Sequence, residues 1–189
     1  MSSIAGKIMI IRHAEKPGVP GGGGAGIARD GSEDPESLTV RGWTRARTLV
    51  SLFVPTRGHT LRSGLATPRR AYASGIGKHS QSLRPQETIL PLCEKLGLTA
   101  TTDYLKEEFE DLADDAMAQA GPVLICWEHL AIPAIADRIL GDSTTAPRAW
   151  PDERFDMVWV FDLDSRSGTY RFQQVPQSLL AGDLPDPIA

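Results

Sequence analysis

Basic excess, cysteine and long apolar runs are all scarce in this 189-residue chain, and each shortage excludes a class of function. Lys and Arg number 20 against 24 Asp and Glu, a formal net charge of −4. That balance leaves no overall basic footprint for nucleic acid or for an anionic membrane surface, so neither is expected as a partner. The two cysteines, Cys93 and Cys126, are too few for a disulfide framework or a cysteine-based metal site. Both lie in apolar periodic segments and read as small buried hydrophobes in a reducing compartment. No uncharged apolar run approaches the roughly 20 residues of a membrane span. The opening MSSIAGKIMI lacks the basic leader and long apolar core of a secretory signal, and the expectation is a cytoplasmic protein.

What is present is an ordinary globular composition, 41% hydrophobic, at a length suited to one domain over residues 1–189. Short apolar runs at 7–11 (KIMII) and 122–127 (PVLICW) have the length and density of buried parallel strands. Residues 69–74 (RRAYAS) form a weaker strand candidate, and 98–102 a short one. DMVWVFD at 156–162 and TYRFQQV at 169–175, joined by LDSRSG, read as a hairpin. Helical spacing predicts four helices: 38–54, with Trp43, Ala46, Val50 and Phe53 inward; one from about residue 85; 103–120, capped by Asp103; and 132–140. Alternating strands and helices imply an α/β fold, a three-layer α/β/α sandwich whose mostly parallel sheet carries an antiparallel C-terminal edge strand. The tail from about residue 178, with Pro185 and Pro187, is expected to be loosely attached.

Residues 17–37, PGVPGGGGAGIARDGSEDPES, read as a long loop. It lacks the Gly-Lys-Ser/Thr ending of a nucleotide-binding loop, and no apolar strand directly precedes it. A mobile rim over a pocket is the expectation instead.

Two strand candidates end in histidine: the first at Arg12-His13, the other at Glu128-His129. In parallel α/β sheets ligands bind beyond the carboxyl ends of the strands, so these groups are expected to meet. A neutral imidazole can attack phosphorus, arginine forks match phosphate oxygens, and a carboxylic acid can protonate the departing alcohol.

The residues that carry this constellation resemble the histidine phosphatase superfamily, the phosphoglycerate mutase-like family. IMIIRHAEK at 8–16 is similar to the family's strand followed by Arg-His-Gly-Glu, with Ala14 for glycine. SLTVRGWTRARTL at 37–49 resembles Leu-Thr-x-x-Gly-x-x-Gln-Ala, with Arg45 for glutamine. AYAS at 71–74 followed by SLRPQETI at 82–89 resembles Arg-Ala-x-Gln-Thr-Ala, and VLICWEHLAI at 123–132 resembles the strand ending in Ser-His-Gly. The closing PDERFDMVWVFD is similar to a terminal strand of a bacterial and fungal subgroup.

The resemblance implies a phosphomonoester hydrolase that phosphorylates His13, with Arg12, Arg84 and His129 binding phosphate and Thr88 as the family threonine. No cofactor and no metal are implied. The proton donor is left between Glu107, at the family's position in LKEEFE, Glu128 beside His129, and neither. Lys16 and Arg41, with Lys78 and His79, are candidates for a second anionic group of a small phosphorylated molecule or phosphoprotein. Two other readings stand: a phosphoglycerate mutase, for which the short Arg84–His129 segment leaves little room, and a non-catalytic phosphate-binding module.

Overall fold

The computed structural model describes residues 5–56 and 58–189; residues 1–4, part of the stretch read for a leader, lie outside the described residues. Five strands form one sheet: β1 (Lys7–Arg12), β2 (Arg70–Ala73), β3 (Val123–Trp127), β4 (Met157–Asp164) and β5 (Thr169–Pro176), in the order β2-β3-β1-β4-β5. β1, β2 and β3 run parallel, and the β4–β5 hairpin adds antiparallel pairing on the other side of β1. The strand that opposes β1 is therefore the interior β4. The C-terminal edge strand β5 pairs antiparallel with β4, the antiparallel edge that was expected.

Helices α1 (Val40–Phe53) and α2 (Arg84–Leu96) pack together on one face, and α3 (Phe109–Met117) and α4 (Ile132–Leu140) on the other. The period-2 pleat explains the two layers. Ile8 and Ile10 of β1 join Val123, Ile125 and Trp127 in the core under α3 and α4. Met9 and Ile11 join Leu124 and Cys126 in the core under α1 and α2. Trp127, Trp150 and Trp159 are all buried in the first of these cores, and Cys93 and Cys126 are buried and unpaired. No helix among the described residues is long and apolar enough to cross a membrane.

Two expectations fail for the same reason, backbone hydrogen bonds made at long range. α3 starts at Phe109 rather than 103, because the preceding segment serves β2 instead. Ala73 N–H donates to Thr101 O, Thr101 N–H to Ala71 O, and Gly75 N–H to Tyr104 O. Those groups cannot also enter a helical ladder, and the strand expected at 98–102 is reduced to one bridge at Thr101.

The tail is not loose. Ile188 is buried in the core and exchanges hydrogen bonds with the Gln174 side chain, and Arg154 donates to Asp186 O. Asp183 accepts two bonds from Arg45 at 2.7 and 3.1 Å. Arg45, which the helical stripe places off the core, is only 2% exposed and also holds the buried carboxylate of Glu15 at 2.8 Å. The aliphatic stripe does not account for a buried arginine whose two anions come from distant segments. Arg45→Ala would leave the buried Asp183 carboxylate without its cation and Glu15 with Arg41 alone, so urea unfolding should show a loss of about 3 kcal/mol. A loss below about 1 kcal/mol would mean that the tail is held by its apolar contacts alone.

Candidate active site

Because β1, β2 and β3 are parallel, their carboxyl ends share one edge of the sheet. Past those ends stand His13, Ser74 and Glu128-His129, and the first turn of α2 brings Arg84 and Pro85 to the same place. A cavity of about 160 Å³ is lined there by His13, Lys16, Arg84, Glu128 and His129, with Lys106 and three serines completing its wall. A larger cleft of about 500 Å³ beside Trp43 and Leu90 has no buried titratable group on its walls.

His13 is almost fully buried, and its Nδ1 lies 2.8 Å from Ala14 O. A carbonyl can only accept, so Nδ1 carries the proton and Nε2 is left as the lone-pair nitrogen. Burial, reinforced by the Arg12 charge, holds the ring's pKa well below the usual histidine value, so it is neutral at physiological pH. Ala14 N–H donates to Thr88 Oγ1 at 2.8 Å, and the Thr88 hydroxyl donates back to Arg84 O at 2.7 Å. That relay fixes the His13 segment against α2. Close approach does the same from α1: a Cβ on Gly42 would sit 2.5 Å from Glu15 O, so only glycine fits where the helix meets the segment.

Arg12, the last residue of β1 and His13's neighbour, is 1% exposed, with its guanidinium carbon 4.0 Å from the centre of the Phe155 ring. Its NH1 faces the carbonyls of Pro151, Asp152 and Arg154 at 3.0, 2.6 and 3.2 Å. Burial lowers its pKa to about 10, which still leaves it charged. Among the described residues, Arg12 Nε and NH2, Arg84 Nε and His129 Nδ1 are buried with no hydrogen-bond partner. Unpaired buried donors are costly, so the free N–H groups of Arg12 and Arg84 are available to an acceptor, while His129 Nδ1 offers a lone pair. His129 Nε2 meets the Asp152 carboxylate at 2.8 Å, although burial and the Arg12 charge still press the ring's pKa down to about 4. Burial also raises the Glu128 carboxyl, against opposing pulls from the Leu130 N–H and Lys106.

Four anticipated site residues are elsewhere. Glu107 is exposed and reaches only its neighbour Lys106, at 3.9 Å; with α3 beginning late, it is Lys106 that faces the cavity. Arg41 donates to Glu15 at 3.1 Å and to Ala181 O at 2.8 Å, in a separate cleft beside the tail. Lys78 and His79 are exposed, and Ser80 and Ser82 line the cavity in their stead. The glycine-rich loop does not cover the cavity but packs on α1. The Thr39 hydroxyl meets Gly22 O, and Trp43 Nε1 donates to Ile27 O at 2.7 Å. Only the loop's end approaches the site, where Pro35 O accepts from Arg84 NH1 at 2.8 Å.

No family model matches the chain, and no curated protein matches it by sequence. Solved structures do. The protein histidine phosphatase SixA complexed with tungstate is 16% identical with a TM-score of 0.50, over 90% of this chain and 97% of that one. The alpha-ribazole phosphatase from Shigella flexneri is 15% identical at 0.52, over 93% and 98%. Mycobacterial glucosyl-3-phosphoglycerate phosphatase in complex with VO3 is 12% identical at 0.53, over 89% and 96%. The chain has the histidine phosphatase, or phosphoglycerate mutase-like, fold.

On that fold, residues to which the sequence motifs assigned no role also stand near the cavity. Ser74 ends β2 at the same edge as the two histidines, a position that parallel topology alone makes suspect. Asp152 comes from the loop before β4, inside the quoted PDERFDMVWVFD, where the resemblance gave it no role.

Proposed function

We propose that the protein is a phosphomonoester hydrolase working through a phosphohistidine on His13. The observation that carries this reading is a neutral imidazole with Nε2 unprotonated, next to buried guanidinium groups whose N–H donors have no protein partner. In the first step Nε2 attacks phosphorus and the ester oxygen departs as an alcohol with a proton from Glu128. In the second, Glu128 as carboxylate takes a proton from water, which attacks the phosphohistidine and releases inorganic phosphate. Arg12, Arg84 and His129, with Lys16 at the wall, offset charge on the phosphoryl oxygens. Glu128 fits the acid role better than Glu107, because it lines the cavity and burial favours its protonated form. The oxyanions tungstate and VO3 bound to proteins of the same fold support an oxyanion seat here.

The small cavity suits a small phosphorylated molecule or the tip of a phosphorylated side chain. Unpaired buried cysteines accord with a cytoplasmic location. These charges need no metal to complete them, so turnover of aryl and alkyl phosphates should survive exhaustive chelation. It should also persist below pH 6: with His13 titrating far below its usual value, acid does not remove the nucleophile. A panel of phosphate esters assayed with chelator from pH 4 to 9 checks both. Turnover that chelator abolishes and zinc or magnesium restores, or a kcat/KM that falls below an ordinary histidine pKa, would contradict the reading.

A further inference from the structure

We propose that Asp152 is a resident competitor for the phosphate seat: its carboxylate bridges Arg12 and His129 and must be displaced by the phosphate of a substrate or product. The proposal rests on reading the pocket as an oxyanion site. Asp152 Oδ1 lies 2.8 Å from His129 Nε2 and 3.6 Å from Arg12 NH2. With the ring neutral, Nε2–H donates to this carboxylate, which leaves Nδ1 as the unpartnered lone pair. These are donors that a phosphoryl oxygen between Arg12 and His129 would use, and the carboxylate holds their positive side with one charge where phosphate would bring two.

The backbone and the side chain of Asp152 are held by different means. Arg12 NH1 grips the carbonyls of Pro151, Asp152 and Arg154, which anchors the turn whether or not the carboxylate is in place. The side chain itself is 67% exposed and, among the described residues, is kept in position by His129 and, at a longer distance, by Arg12. Rotation about its own bonds carries it to solvent without disturbing the loop. It is also an incomplete partner, because Arg12 Nε and NH2 stay unpaired beside it. Phosphate, with more oxygens, satisfies more donors and so can win the seat. The energy of removing Asp152 is subtracted from ground-state binding, which weakens the hold on product phosphate and favours its release.

Titration calorimetry of inorganic phosphate into wild type, Asp152→Asn, Asp152→Ala and Arg12→Ala tests this. Both Asp152 variants should bind phosphate more tightly than wild type, by roughly tenfold, the order expected for removing one partly screened like charge. If the carboxylate instead serves to orient His129, the alanine variant binds more weakly and asparagine, which keeps an acceptor, restores wild-type affinity. That pattern, or unchanged affinity in both variants, overturns the proposal while phosphate binding that depends on Arg12 leaves the oxyanion site standing. Phosphate binding that Arg12→Ala does not weaken, or no binding in any of the four proteins, overturns the oxyanion site and the proposal with it.

Discussion

Replacing His13 with alanine should reduce turnover of every phosphate ester by on the order of 10³-fold or more, while inorganic phosphate still binds. The nucleophile is lost, but the groups that would hold phosphate remain: Arg12, Arg84 and His129 come from the end of β1, the first turn of α2 and the end of β3. The His13 ring is buried, with its centre 6.2 Å from that of Phe155, so its removal also costs packing. Circular dichroism and a thermal melt on the same preparation separate a dead site from a lost fold. Undiminished turnover in a folded His13→Ala protein would rule out covalent catalysis by this residue.

The second large effect concerns the proton. Expulsion of an alkoxide needs an acid, whereas nitrophenolate departs unaided. Glu128→Gln should therefore slow hydrolysis of an alkyl phosphate by about 10²- to 10⁴-fold, the usual worth of a positioned acid, and that of nitrophenyl phosphate far less. The acid works only while protonated. Burial pushes the Glu128 carboxyl upward, so wild-type activity on the alkyl ester should fall as pH rises through that raised pKa. Glutamine should remove this limb, and Glu107→Gln, on an exposed residue outside the cavity, should reproduce neither effect. Leaving-group dependence in the Glu107 variant alone would return the acid role to the position that the family resemblance implies. Equal slowing of both substrates by Glu128→Gln would mean that it supports the pocket without donating a proton.

The layers of the fold were legible because each is encoded locally. KIMII and VLICW are apolar at every position, as strands covered on both faces must be, and the helical stripes of α1, α2 and α4 show which side meets the sheet. The convergence of His13 and His129 followed from parallel topology, since strands that run together also end together. Arg84 was reached through the resemblance, and its place after the strand, at whose start Arg69 and Arg70 stand, agreed with it. What stayed hidden is long-range and polar. Arg45 is buried where Glu15 and Asp183 meet it, Tyr104 O is taken by the Gly75 N–H just past β2 instead of a helical partner, and Asp152 reaches His129 from the loop before β4. In each case a residue of ordinary surface composition is placed by a partner far away in the chain. Glu107 was placed by the resemblance to the family's motif alone, and its side chain is exposed outside the cavity.

Rapid quenching during turnover distinguishes a covalent phosphohistidine from direct attack of water on the ester. Protein stopped in alkali within the first turnovers on a labelled phosphate ester should carry the label on a single peptide containing His13. The adduct should be lost in acid and persist in base, as a phosphoramidate does and a phosphoserine does not. An acid-stable adduct, a label on another residue, or rapid steady turnover with no trapped phosphoenzyme at any time would contradict it.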